Sequence, residues 1–136
     1  EGFIAPIEGT AEGELSVGPP EDPARWWFRF SKGNLVEVHG NPPFEELLEK
    51  VFAEFPVARN LAELGVGTNE QAQPSDSVLE AEKILGTIHL AVGDNAGFGG
   101  KVAVPYHQDY VVYGPTLHLD GPAGRVTLVD AGVLKV

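Results

Sequence analysis

Apolar positions in this chain follow two periods. Over residues 44–55, Phe44, Leu47, Leu48, Val51, Phe52 and Phe55 recur at three- and four-residue steps. That spacing lays one apolar stripe along a helix. Asn41 is the expected N-cap, with Pro42 and Pro43 in the first turn and Pro56 as the stop. Glu46 and Lys50 are spaced to pair along the helix, and the four Glu of its outer face read as solvated charge. Elsewhere the apolar positions come in short runs typical of strands. These are 3–7 (an edge strand, because of Pro6), 11–17, 26–30, 35–39, 61–66, 87–92, 102–104, 107–113, 116–119 and 126–129. Lys32-Gly33-Asn34 marks a hairpin, and Gly18-Pro19-Pro20 a turn or linker. A second, short helical patch is expected over 78–83, capped by Ser75 or Asp76. Strands and helices do not alternate regularly, which argues against a doubly wound sheet. The expected fold class is α+β, mostly β: a curled antiparallel or mixed sheet, or a barrel, with one long and one short helix against it.

Composition narrows the function. The chain has 136 residues, enough for a single domain over 1–136. Its 17 Gly and 11 Pro fit a fold rich in turns. A formal net charge of −11 repels phosphate, so nucleic acid and anionic membrane surfaces are excluded as partners. No apolar run is long enough to span a bilayer and no leader is visible, so the expected location is cytoplasmic. With no Cys, disulfides, thiolate metal sites and cysteine nucleophiles are all ruled out. Met is absent too, and the first residue is Glu1, which reads as a processed or excised chain. Lack of Cys and Met with abundant Pro suits a heat-adapted source.

The informative residues are the polar ones inside apolar strands. Glu63 interrupts LAELGV, His89 interrupts TIHLAV, and His107 and Asp109 interrupt the Val-rich stretch 102–112. A buried carboxylate is costly unless it is paired or ligates a metal. Residues at i and i+2 of a strand point to one face, so His107 and Asp109 can reach the same cation. Glu63 and His89 from neighbouring strands would complete its shell. Two His with two carboxylates suit Zn, Mn, Co or Fe(II) better than Ca or Mg. A hydrogen-bonded polar cluster in the sheet is the competing reading. The spacing recurs at His118 and Asp120, where Asp120 reads as a turn residue, and His39 reads as a surface residue at a strand end. Residues 93–100 contain four Gly and read either as a plain turn or as the border of a pocket.

Several segments resemble a known family: EGFIAP at 1–6, AELGVGTN at 62–69, LEAEKILGTIHLAVGDNAGFGG at 79–100, VPYHQDYVV at 104–112 and GPTLHLDG at 114–121. Together they resemble the C-terminal part of the aminopeptidase T/aminopeptidase S metallopeptidases, in particular the leucyl aminopeptidase-like branch. The resemblance implies the C-terminal metal-binding domain of a longer chain, with an α/β domain preceding it and a homodimer as the full-length form. It implies divalent metal, zinc or cobalt first, held by Glu1, Glu63, His89, His107 and Asp109. It further implies hydrolysis of the N-terminal bond of a small peptide by metal-activated water, with Glu63 or Glu1 as general base.

One family feature is missing. The peptidases carry a ligating Tyr seven residues after the first His, where this chain has Ala96. Tyr106 and Tyr110 fall on the strand face opposite His107 and Asp109. A relative of similar architecture uses iron to open hydroxylated pyridine rings. The alternative expectation is therefore a mononuclear Fe(II) centre of His89, His107 and Asp109. A third reading is a fragment that is inactive without its partner domain.

Overall fold

The structure is a computed structural model that describes residues 1–18 and 25–136. The expected turn at Gly18-Pro19-Pro20 lies mostly outside the described residues. In chain order the elements are β1 (Gly2–Ile4), β2 (Gly13–Val17), β3 (Trp26–Ser31), β4 (Asn34–His39), α1 (Pro42–Glu54), β5 (Leu61–Val66), α2 (Val78–Ala81), β6 (Ile88–Gly93), β7 (His107–Val112), β8 (Leu117–Gly121), β9 (Gly124–Asp130) and β10 (Val133–Leu134). Short 3₁₀ turns occupy Pro56–Arg59 and Ala96–Phe98. Among the described residues the fold is mostly β, with 42% strand and two helices, and none of the antiparallel sheets closes into a barrel. No helix among the described residues is long and apolar enough to cross a membrane.

Three sheets form, ordered β1-β5-β6-β7, β2-β3-β4 and β8-β9-β10. β1 is an edge strand, as Pro6 implies. The chain divides into two compact units. The first comprises Glu1–Phe3, Gly65–His89 and Tyr110–Val136, and the second comprises Ile4–Leu64 and Leu90–Asp109.

In the second unit, β2, β3 and β4 pair antiparallel, with a bulge between Arg29 and Phe30. The buried Phe28, Phe30 and Leu35 of this sheet, with Leu48 and Phe52 of α1, make its core. Trp26 stacks flat on Phe44 of α1, ring centroids 4.1 Å apart. The helical stripe is narrower than its period suggests, because Leu47 is 55% exposed. Asn41 caps α1 as expected, its side-chain oxygen accepting from the Phe44 amide at 3.0 Å. Glu45 departs from the expectation of solvated charge: its carboxylate accepts from the Gly40 amide at 2.8 Å and closes the cap from the other side.

In the first unit, β8, β9 and β10 form an antiparallel meander. The buried Val129 of β9 anchors it. The short helix α2 is preceded by Ser77, not Ser75 or Asp76. The strand expected over 102–104 does not form. The amides of Val102 and Val104 donate instead to the side chains of Asn95 and Asp94, so they are not free for a ladder.

Candidate metal centre

The second unit brings three of the expected ligands together. Glu63 comes from β5; His107 and Asp109 come from β7, two residues apart and on one face. His107 Nε2 lies 3.3 Å from Glu63 Oε2 and 3.5 Å from Asp109 Oδ1. One ligand atom from each residue falls within 4.8 Å of the other two. An ion bound at about 2.0–2.2 Å from nitrogen and oxygen ligands needs donors at such mutual separations. Glu63 is only 8% exposed, so its charge requires a cation or strong donors nearby.

The orientation of the imidazole is set on its far side. His107 Nδ1 lies 2.7 Å from the Asp94 carbonyl oxygen, which can only accept, so Nδ1 carries the hydrogen. Nε2 is then the atom presented to the two carboxylates. Phe98 meets the ring edge-on with centroids 6.0 Å apart. The hydrogen bond to Asp109 is the main cause that raises the His107 pKa to about 9, although the Glu63 oxygen lies slightly nearer. The Asp94 carbonyl and the Glu63 charge act the same way, and partial burial opposes them. Without a metal the site therefore holds an imidazolium between two carboxylates. Replacing that proton with a divalent ion preserves the sign of every contact, and one imidazole with two carboxylates is a donor set for a first-row divalent metal.

The first unit holds the other two expected residues. Glu1 Oε2 lies 3.6 Å from His89 Nε2, and Glu1 Oε1 lies 3.1 Å from Lys83 Nζ. Lys83 also contacts the buried Glu82 at 2.6 Å, and that bond, ahead of the one to Glu1, raises the lysine's pKa. His89 is fully buried. Its ring occupies the space where Gly65 lacks a side chain: a Cβ there would stand 2.1 Å from the ring. The Gly after Leu64 in AELGV is thus a packing requirement of His89. Thus Glu63, His107 and Asp109 come together in the second unit, and Glu1 and His89 in the first.

The remaining polar candidates have ordinary roles. His39 is exposed at the end of β4, as expected. His118 Nδ1 shares a 2.9 Å hydrogen bond with Thr127. Asp120 is a strand residue and not a turn residue: it forms a two-pronged pair with Arg125 across the β8–β9 hairpin. Two parts of the site escape a reading of strand patterns. Asp94 contributes a backbone carbonyl, which any residue could supply. Lys83, which Glu82 also contacts, meets Glu1 only through the tertiary fold. The Gly-rich segment 93–100 is not a plain surface turn, since Asn95 within it is fully buried.

The chain is thus a mostly β fold that carries a cluster of one histidine and two carboxylates. No protein-family model matches the chain, and no curated protein does. Among solved structures it is similar to 2,5-dihydroxypyridine dioxygenase from Pseudomonas putida KT2440, at 24% identity and a TM-score of 0.79 over 98% of this chain. The chain spans 43% of that protein's length. At this identity the likeness establishes the fold.

These findings correct the expected kinship with aminopeptidase T and aminopeptidase S. Nothing found points to those peptidases, and the structural neighbour is a dioxygenase. The readings that depended on the peptidase resemblance, as hydrolase, aminopeptidase and zinc enzyme, fall with it, and the heat-adapted reading has no support. The physical reason is visible at Ala96. The chain has Ala where the peptidase pattern requires a ligating Tyr.

Proposed function

We propose that this chain carries the metal-binding domain of a ring-cleaving dioxygenase with a mononuclear Fe(II) centre, acting on a small hydroxylated aromatic ring. The observation that carries this reading is the coincidence of two things: a dioxygenase-like fold and a compact donor set of Glu63, His107 and Asp109. The substrate in the neighbour's name, a dihydroxypyridine, gives the substrate class. Bound Fe(II) supplies the redox chemistry that couples dioxygen to ring opening.

The chain's own groups have distinct tasks. His107 and Asp109, on one strand, form the rigid part of the donor set. Glu63, on a different strand, holds Oε2 3.3 Å from His107 Nε2 and would help hold the metal and accept the proton of a ring hydroxyl. The Asp94 carbonyl keeps the hydrogen of His107 on Nδ1. The chain spans 43% of the neighbour's length, so turnover is proposed for a longer polypeptide that contains this domain.

The test begins with anaerobic loading by Fe(II), desalting and elemental analysis. One iron per chain is expected, and His107→Ala should retain none. The longer polypeptide should then consume dioxygen as the absorbance of 2,5-dihydroxypyridine falls. A chain that retains no iron, or a His107→Ala variant with undiminished iron, overturns the proposal.

A further inference from the structure

We infer that Glu8 is a positioning residue for the metal centre: through Asn95 and the Lys101 amide it fixes the loop whose Asp94 carbonyl orients the His107 ring. The inference rests on the metal reading above and deepens it, because it names a residue outside the donor set on which that set depends.

The loop from Asp94 to Tyr106 has no strand of its own, so its backbone groups need other partners. The Asp94 amide donates to the Tyr106 carbonyl at 2.7 Å, and the Asn95 amide to the Val102 carbonyl at 3.0 Å. Asp94 Oδ1 accepts from the Val104 amide at 3.1 Å, and Asn95 Oδ1 from the Val102 amide at 3.0 Å. Two glycines permit these approaches. A Cβ on Gly93 would stand 2.1 Å from the Tyr106 carbonyl oxygen, and one on Gly100 would stand 2.0 Å from the Asn95 side chain.

All of those bonds are internal to the loop. Glu8 ties it to a distant part of the chain. Its Oε1 accepts from the Lys101 amide at 2.6 Å and from Asn95 Nδ2 at 3.3 Å. The bond from Lys101 is the chief reason its carboxyl titrates below the usual range. Asn95 is fully buried, so the partner of its amide group has a large effect on where the loop rests. The next residue back is Asp94, whose carbonyl stands 2.7 Å from His107 Nδ1. Glu8 therefore acts on His107 through another group and touches no donor atom of the centre itself.

Glu8→Ala and Glu8→Gln test this. Glu8 lies in irregular chain outside the sheets, so both variants keep the core, which near-UV circular dichroism verifies. Two readouts are taken: Mn(II) affinity by calorimetry, and the His107 Nδ1–H resonance of the metal-free protein by ¹⁵N-edited NMR. Glu8→Ala, one step further out than a direct partner of the ligand, should weaken Mn(II) binding by up to roughly 10-fold and broaden the Nδ1–H signal through solvent exchange. Glu8→Gln keeps an oxygen acceptor for Lys101 and should stay close to the wild type on both. The inference is overturned if Glu8→Ala matches the wild type, or if the two variants fall equally. If the wild type takes up no Mn(II), the metal reading fails, while the Nδ1–H comparison still decides the role of Glu8.

Discussion

If the proposed metal binds at His107, the imidazolium there makes uptake a proton exchange with a calculable pH profile. Nε2 must lose its proton before it can ligate, and the two carboxylates that would share the metal are the groups that hold the proton there. A pKa raised to about 9 means that protons compete with metal throughout the neutral range. The sign follows directly: apparent affinity rises with pH and levels off above the raised pKa. For a single competing proton with a pKa of about 9, the competition factor is 1 + 10^(9 − pH), so affinity grows about 90-fold between pH 6 and pH 8. An ordinary imidazole at about 6.5 would give only about a fourfold gain over the same interval. At pH 7.5 binding should release about one proton per metal ion. Mn(II) titrations by calorimetry, in buffers of different ionisation enthalpy and at several pH values, measure both quantities. A fourfold pH dependence, or proton release near zero at pH 7.5, would refute the assignment of His107 as a ligand squeezed between Glu63 and Asp109.

Further outcomes follow from packing. Gly65→Ala places a methyl group 2.1 Å from the buried His89 ring, so it should cost about 1–3 kcal/mol as an overpacking change, read by urea unfolding. Asn41→Ala removes the side-chain acceptor of the Phe44 amide and should cost about 0.5–2 kcal/mol, while Asn41→Ser restores most of it. Leu48→Ala empties a fully buried position between α1 and the β2-β3-β4 sheet, for a loss of about 2–5 kcal/mol in the same assay. Metal-free protein should lose stability as pH rises from the unfolded His value near 6.5 through about 9, because the folded state binds the His107 proton more tightly, and thermal melts across that range check it.

Local physics made much of this protein legible in its sequence. The period of Leu48 and Phe52 with a capping Asn41 specifies α1, and the alternation around Lys32-Gly33-Asn34 specifies the β3–β4 hairpin. The pairing of His107 with Asp109 follows from the two-residue repeat of a strand alone, and Glu63 stood out as a carboxylate in an apolar run. These are short-range facts that adjacent residues carry. Other features depend on partners far away in the chain. The strand expected at 102–104 gave way to a loop because Asp94 and Asn95 offered its amides side-chain acceptors. The bond between Glu8 and Lys101 joins residues 93 apart, and no pattern near either announces it. Likewise the peptidase chemistry assigned from motif likeness failed, since the structural neighbour is a dioxygenase. Sequence thus singled out candidate donors and most of the strands. Only the tertiary structure decided which donors meet, which ring nitrogen faces them and what holds that ring, because those depend on distances between segments that local pattern does not encode.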